Sequence, residues 1–112
     1  MKKVEVTIKP NELDTVRDAL TEAGVVAMTV SEVRGFGRHT GRMGMYRGVE
    51  YSIDSCPQIK LELAVPDAAV DRIVSLVCGI VRTKDPGDGK LFVSPLDDIV
   101  RVRTGEHGER AL

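Results

Sequence analysis

Apolar and polar residues alternate near the start of the chain, and this alternation then gives way to a helical spacing. From Val4 to Ile8 every second residue is apolar, which predicts a strand with one buried face that ends at Pro10. Apolar residues then recur with helical spacing over residues 11–23, which predicts an amphipathic helix with Asn11 as its N-cap. The chain therefore begins with a strand and a helix.

The same patterns return further along the chain. Alternation resumes from Val26 to Val30 and stops at the glycine-rich residues 35–37, which predicts a second strand. In the second half, residues 59–65 alternate and residues 69–81 have helical spacing, which predicts a third strand and a second helix. The two halves form a weak internal repeat.

Two further short strands are predicted, at residues 91–93 and 100–103. The complete order is β-α-β, a long connection, and β-α-β, which is typical of the ferredoxin-like α+β fold with two helices on one face of an antiparallel sheet. The other face of such a sheet is either solvated or covered by another subunit. We therefore expect a homo-oligomer.

Composition narrows the class of protein. The 112 residues include 16 Lys and Arg and 17 Asp and Glu, so the formal net charge is −1. The length predicts a single domain over residues 1–112, and the balanced charge excludes a protein that coats polyanions. Because no apolar run approaches the roughly 18 residues of a membrane span, we expect a cytoplasmic protein.

The few cysteines and histidines also restrict the chemistry. Cys56 and Cys78 lack the spacing of a disulfide framework or a zinc site. Cys78 falls on the apolar stripe of the second helix, where we expect it in the core. His39 and His107 are far apart in the sequence, so we predict no metal site and no catalytic residues.

The connection at about residues 37–58 is unusually long. Connections of more than about 15 residues without structure are usually functional or disordered. Four arginines and one glutamate lie between Arg34 and Glu50, together with methionines and a tyrosine, and this mixture is typical of protein interfaces. We expect this loop to bind partner proteins, and the alternative is a solvated hairpin.

Cations follow two glycine-rich turns, with Arg38 after the first and Lys90 after the second. Glycines allow backbone N–H groups to approach an anion closely. Arg101 and Arg103 lie two apart on a predicted strand, so they project from one face and repel unless an anion lies between them. These four cations predict a polyphosphate ligand. The alternative is ordinary turns and surface arginines neutralised by nearby carboxylates.

Two other functions compete with this hypothesis. Residues 34–37 match the beginning of an RNA-recognition motif, but Arg38 and His39 stand where aromatic and aliphatic residues should follow. The chain has no complete catalytic motif. A small phosphate-processing enzyme that depends on Arg38 or His39 remains an alternative.

Four segments of the chain resemble the PII nitrogen-regulatory signal transduction proteins, and the similarity extends from Lys2 to Glu106. The segments are residues 29–38, 46–51, 87–90 and 101–106. The resemblance implies a ferredoxin-like homotrimer without enzymatic activity that binds ATP or ADP competitively between its subunits. It also implies that residues 37–55 form a mobile loop that docks into ammonium transporters and enzymes of nitrogen metabolism.

The resemblance also assigns roles to individual residues. It implies that the nucleotide is held by residues from several parts of the chain: Thr29, Gly37, Arg38, Glu62, Ala64, Gly87, Asp88, Gly89, Lys90, Arg101 and Arg103. Glu62 and Ala64 would lie near the base, and Lys90 with the last two arginines would neutralise phosphates. Tyr51 stands where many bacterial members are uridylylated.

Two replacements bear on the effector 2-oxoglutarate. In the family this acid binds a Mg²⁺ ion held by the ATP phosphates and a glutamine, and a lysine pairs with its carboxylate. Here His39 replaces the glutamine and Gln58 replaces the lysine. Imidazole is a poorer ligand for Mg²⁺ than an amide oxygen, and an amide forms no ion pair. These replacements argue against 2-oxoglutarate and favour a divergent paralogue that senses adenylates or another small metabolite.

Overall fold

The computed structural model of the chain describes residues 1–36, 43–46, 49–52, 55–83 and 88–112. Within these ranges the strands and helices up to residue 95 follow the predicted order, two additional strands lie in the long connection, and no strand forms at residues 100–103. The elements are β1 Lys2–Ile8, α1 Leu13–Glu22, β2 Thr29–Gly35, β3 Met43–Tyr46, β4 Val49–Ser52, β5 Cys56–Val65, α2 Val70–Val81 and β6 Leu91–Pro95.

Four of the strands form one antiparallel sheet in the order β2-β5-β1-β6. The two central strands, β5 and β1, are distant in sequence, and Val6 lies opposite Leu61 on one side and Leu91 on the other. This strand order, with two helices in the connections, confirms the predicted ferredoxin-like fold.

The hydrophobic core lies between one face of this sheet and the two helices. It consists of the alternating residues of β1 and β5 and the apolar stripe of each helix: Val4, Val6, Ile8, Val16, Leu20, Ile59, Leu61, Leu63, Val65, Ile73 and Val77. The apolar side chains that recur every second residue in the strands therefore pack in one layer with those that recur at helical spacing in α1 and α2. Cys78, which we expected in the core, is only half-buried.

The first helix begins later than the sequence predicts. Residues Pro10–Glu12 form a 3-10 turn, and α1 starts at Leu13 with Glu12 at its N-cap position. The Lys9 N–H donates to Glu12 Oε1 at 2.8 Å, so the Glu12 carboxylate ties the turn to the end of β1. The prediction of Asn11 as the N-cap is therefore wrong.

The second strand also begins later than predicted. Val26 is 87% exposed and precedes β2, which starts at Thr29. Gly24 has a φ of +94°, and the Val25 N–H still bonds to the Leu20 carbonyl at 3.0 Å. The chain thus remains folded against the end of α1, and the alternation of residues 26–28 does not reflect strand pairing.

The predicted strand at residues 100–103 is wrong. Val100 forms an isolated bridge with His107, and the chain between them turns back on itself. The Gly105 N–H donates to the Arg101 carbonyl at 2.7 Å, and the Arg101 N–H donates to the Glu106 carbonyl at 2.9 Å. The turn leaves Val102 96% exposed, so its apolar character does not place it in a core.

Within the long connection, β3 and β4 pair antiparallel, with Met45 opposite Glu50. The described part of this connection therefore contains paired strands, and partner binding by the loop stays a prediction. None of the helices in the described residues is long and apolar enough to cross a membrane.

Candidate functional site

Three of the predicted nucleotide-binding residues lie together at the edge of a cleft of about 480 Å³. Thr29 is the first residue of β2 and lies opposite Glu62 of β5, and Ala64 follows two residues later on the same face of that strand. All three residues line the cleft. The pairing of β2 with β5 therefore produces this part of the predicted site.

The walls of this cleft are mostly apolar. The apolar residues that line it include Val25, Met28, Leu63, Ile73 and Ile99, and the C-terminal residues Ala111 and Leu112. A concave apolar site with a few polar groups at its edge is suited to a flat organic ring rather than to phosphates. Glu62 and Ala64, which are expected near the base of a nucleotide, thus lie beside an apolar cleft.

The predicted phosphate turn lies against the end of β1. The Thr7 N–H donates to the Lys90 carbonyl at 3.3 Å, and a Cβ on Gly89 would lie 2.0 Å from the Thr7 carbonyl oxygen. Glycine is therefore required at position 89 because the two backbones touch. Lys90 is exposed, so its ammonium group is available to an anion.

The Asp88 carboxylate anchors this turn to its surroundings. It accepts the Thr83 N–H at 2.8 Å and the Thr83 hydroxyl, and Lys9 Nζ lies 3.6 Å from its Oδ1. The contacts join the end of α2, the end of β1 and the beginning of β6. Asp88 therefore fixes the position of Gly89 and Lys90.

Arg101 and Arg103 lie in the C-terminal turn, and the argument that a strand directs both to one face does not hold. Arg103 is exposed, whereas Arg101 is half-buried and its guanidinium donates to the Leu112 carbonyl at 2.7 Å. Within the described residues neither arginine forms an ion pair with the nearby carboxylates, because Asp98 contacts His107 and Glu106 contacts Thr104. Within the described residues, neither Asp98 nor Glu106 therefore neutralises these two arginines.

One copy of the chain does not bring all of these groups together. The Lys90 carbonyl is bonded to Thr7, near the C-terminal end of β1. Arg101 is bonded to Leu112, which lines the cleft beside Val65. Val65 is paired with Lys2, at the N-terminal end of β1. The separation along the strand is about 16 Å, at about 3.3 Å per residue. A single site that used both cations would need contributions from two copies.

A comparison with known proteins identifies the family. The sequence profile described as "Nitrogen regulatory protein P-II" matches residues 1–106. The chain belongs to the P-II family. Proteins named nitrogen regulatory protein P-II from Rhodobacter capsulatus and a Synechocystis strain are each 49% identical to it over 112 residues, which is all of both chains. One from Haemophilus influenzae is 46% identical over the same length. The chain is thus a signal transduction regulator of the P-II type.

In this P-II protein, Glu62 is also part of a charged network on the face of the sheet opposite the helices. Lys60 and Lys3 lie 3.2 Å and 3.6 Å from its carboxylate oxygens, and both also approach Glu5. The hydrogen bond from Lys60 is the main reason that the pKa of Glu62 is lower than usual. Glu62 therefore remains ionised at neutral pH.

The side chain of Gln58 on β5 is buried. It lies on β5 opposite Val33, is 8% exposed, and packs so closely on Gly35 that a Cβ there would lie 2.2 Å from its Oε1. A neutral amide rather than an ammonium group therefore occupies this place beside the long connection.

Several predicted residues lie outside the described part of the chain: Gly37, Arg38, His39 and Gly87. Tyr51 lies on β4, opposite Gly44. Among the described residues, no three His, Cys, Asp or Glu side chains gather as a metal site would require.

Two residues that contact the phosphate turn were not predicted from the sequence. Lys9 and Thr83 contact Asp88 but belong to no glycine-rich or arginine-rich motif. The only available signal was their position, because one follows the first strand and the other follows the second helix. Ferredoxin-like topology places those two ends beside each other, and this could be used only once the strand order was known.

Proposed function

We propose that this P-II protein binds ATP or ADP competitively in the clefts between the copies of a homotrimer. The observation that supports this is the separation of the cations in one copy, where Lys90 and Arg101 lie at opposite ends of β1. A second copy can bring its C-terminal turn to the phosphate turn of the first. The apolar cleft beside Glu62 would receive the base.

Nucleotide occupancy would then control the loop of residues 37–55. A ligand shifts a conformational equilibrium only by the difference between its affinities for the two states. ATP and ADP differ in the γ-phosphate, so they would favour different loop conformations only if residues near the phosphates connect to the loop. β2 would be one such connection, because it carries Thr29 at its beginning and leads into the loop after Gly35.

The loop would in turn regulate transporters or enzymes of nitrogen metabolism, as expected for a member of the P-II family. The protein acts in this proposal as a cytoplasmic regulator of one domain, without catalysis of its own. It would meet the membrane only through a partner, and it would not bind nucleic acid. Uridylylation of Tyr51 would be a second input to the same loop.

The buried Gln58 amide supports a narrower set of effectors. A carboxylate ligand at this place would lose the charge-assisted hydrogen bond that a lysine supplies. We therefore infer that adenylates, or another small metabolite, act without 2-oxoglutarate and its Mg²⁺ ion.

Isothermal titration calorimetry tests the proposal. The wild-type protein is titrated with ATP and with ADP, each in the presence and absence of Mg²⁺ and 2-oxoglutarate. We expect both nucleotides to bind, to compete with each other, and to bind with affinities that 2-oxoglutarate does not change. The absence of heat with either nucleotide contradicts the proposal, and a tighter ATP complex in the presence of the acid contradicts the role of Gln58.

Two substitutions locate the site in the same experiment. Arg103→Ala removes a guanidinium that would bind phosphate through charge-assisted hydrogen bonds, which are each worth about 1.5–3 kcal/mol, so we expect about 10- to 100-fold weaker ATP binding. Tyr51→Phe should bind ATP as the wild type does. Equal effects of the two substitutions would contradict the assigned site.

A further inference from the structure

The end of β1 supports the phosphate turn through contacts from consecutive parts of the strand. The Thr7 N–H bonds to the Lys90 carbonyl, and Gly89 lies directly on the Thr7 carbonyl. Two residues later, Lys9 Nζ lies 3.6 Å from Asp88 Oδ1 and 3.4 Å from Thr83 Oγ1. The turn is thus held by backbone contacts at one point and by a side chain at another.

The position of Lys9 is itself restricted. Its N–H donates to Glu12 Oε1 at 2.8 Å, and the Glu12 N–H donates to the Lys9 carbonyl at 2.9 Å. The 3-10 turn after β1 therefore fixes the backbone from which the lysine side chain extends. A side chain that extends from a fixed backbone loses less conformational entropy when it forms a contact.

The charge of Lys9 also matters for a phosphate ligand. The Asp88 carboxylate carries a negative charge two residues before Lys90, and like charges repel the phosphates that Lys90 would attract. Lys9 is 37% exposed and Asp88 is 21% exposed, so solvent screens their interaction only in part. The ammonium group of Lys9, 3.6 Å from Asp88 Oδ1, offsets part of the carboxylate charge.

We propose that Lys9 is a positioning residue for phosphate binding, which acts through Asp88 and does not itself touch the ligand. This inference rests on the proposed nucleotide site and adds to it a residue that determines how strongly the phosphates, rather than the base, are bound. Lys9 would matter for ATP and ADP and would not matter for adenosine.

Calorimetry of the full-length protein with ATP and with adenosine tests the role of Lys9. For Lys9→Met we expect ATP binding to weaken by about fivefold, which is the upper range for a half-exposed ion pair, whereas adenosine binding stays unchanged. Lys9→Arg should restore ATP binding. Arg17→Met is the control, because it removes one positive charge from the exposed surface of α1, away from the cleft, and should leave both ligands unaffected.

A double-mutant cycle tests whether Lys9 acts through Asp88. In an Asp88→Asn background, Lys9→Met should have little further effect on ATP binding, since residues that act as one unit are not additive. Circular dichroism and thermal melting of each variant establish that it is folded.

The outcomes separate this inference from the proposed function. Lys9 has no positioning role if the Lys9→Met protein binds ATP as tightly as the wild type. The same conclusion follows if the substitution weakens adenosine binding as much as ATP binding. In both cases the nucleotide site stands. If the wild type binds no adenine nucleotide, the proposed function and the role of Lys9 are both wrong.

Discussion

Asp98 holds the beginning and the end of the C-terminal segment together. Its Oδ1 accepts the Ile99 N–H at 2.8 Å and the Gly108 N–H at 3.1 Å, and its Oδ2 lies 2.6 Å from His107 Nδ1. These contacts favour the carboxylate form, and the His107 contact is the main reason that the pKa of Asp98 is lower than usual. One ionised side chain therefore joins the two ends of the segment that carries Arg101 and Arg103, in addition to its backbone hydrogen bonds.

This arrangement predicts a pH dependence in acid. Because the pKa of Asp98 is lower in the folded state, its stabilising contribution is fully present above the ordinary value of 3.8 and is lost as the pH falls through the folded-state pKa. In NMR titrations, the amide signals of Ile99 and Gly108 should shift together at a pH below 3.8. Asp98→Asn should abolish this titration, and a midpoint at or above 3.8 in the wild type would contradict the assignment.

At the scale of single residues, the sequence predicted the types of side chain in the site better than their partners. The carboxylates near the arginines in sequence are Asp97, Asp98 and Glu106, but Asp98 contacts His107 and Glu106 contacts Thr104. These partners are set by a turn in which Gly105 and Gly108 adopt positive φ angles of +73° and +68°. The hydrophobic pattern carries no information about such a turn.

At the scale of elements, replacement of glycine by alanine should change the free energy of unfolding in opposite directions at two positions, one inside α2 and one just before β6. Gly79 lies in α2, and a Cβ there would have no neighbour within 4 Å, so Gly79→Ala should raise the free energy of unfolding by about 0.5–1 kcal/mol through helix propensity. Gly89→Ala would place a methyl group against the Thr7 backbone and should lower it by about 1–3 kcal/mol. Urea denaturation measures both, and a destabilised Gly79→Ala protein would contradict the described helix surface.

Strands were predictable where a pairing partner existed. The alternation of β1 and β5 is paired over seven consecutive positions, from Lys2 opposite Val65 to Ile8 opposite Ile59. Val100 and Val102 alternate in the same way, but the chain turns at Gly105 before any strand can pair along them. Period-two patterning therefore indicates a strand only when the neighbouring residues permit a ladder.

In the molecule as a whole, the uncovered face of the sheet carries a self-compensating set of charges. Glu5 and Glu62 lie opposite each other on β1 and β5, a pairing of like charges that is unfavourable alone. Lys3 and Lys60 each approach both carboxylates, at 3.2 to 3.9 Å. Four charges thus cancel in one surface, which makes it less costly for another copy to cover that surface.

Lys60→Met tests this interpretation of the surface. The substitution leaves two carboxylates with only Lys3 between them, and uncompensated charges resist removal from water. In sedimentation velocity experiments, we expect the wild type to form trimers and the Lys60→Met protein to dissociate at higher concentrations than the wild type. Lys2→Met, outside the network, should behave as the wild type, and an unchanged Lys60→Met assembly would show that the uncovered face lies outside the interface.

The fold could be predicted from one copy of the sequence, whereas the complete site could not. Thr29 and Glu62 meet because two strands of one chain pair, and the sequence pattern predicts both strands. Lys90 and Arg103 would meet only through a second copy, and no hydrophobic pattern encodes the angle at which copies associate. Resemblance to a family supplied that part of the prediction.

The guanidinium of Arg101, which the proposed function assigns to a phosphate, already donates a hydrogen bond to an oxygen of Leu112 in the same chain. An anion that takes this guanidinium must exchange with the carbonyl, so the measured binding enthalpy is the difference between two hydrogen-bonded states. The same exchange would remove one contact of Leu112, which lines the apolar cleft together with Ala111. A fluorescent label near the C-terminus would therefore report ligand occupancy directly.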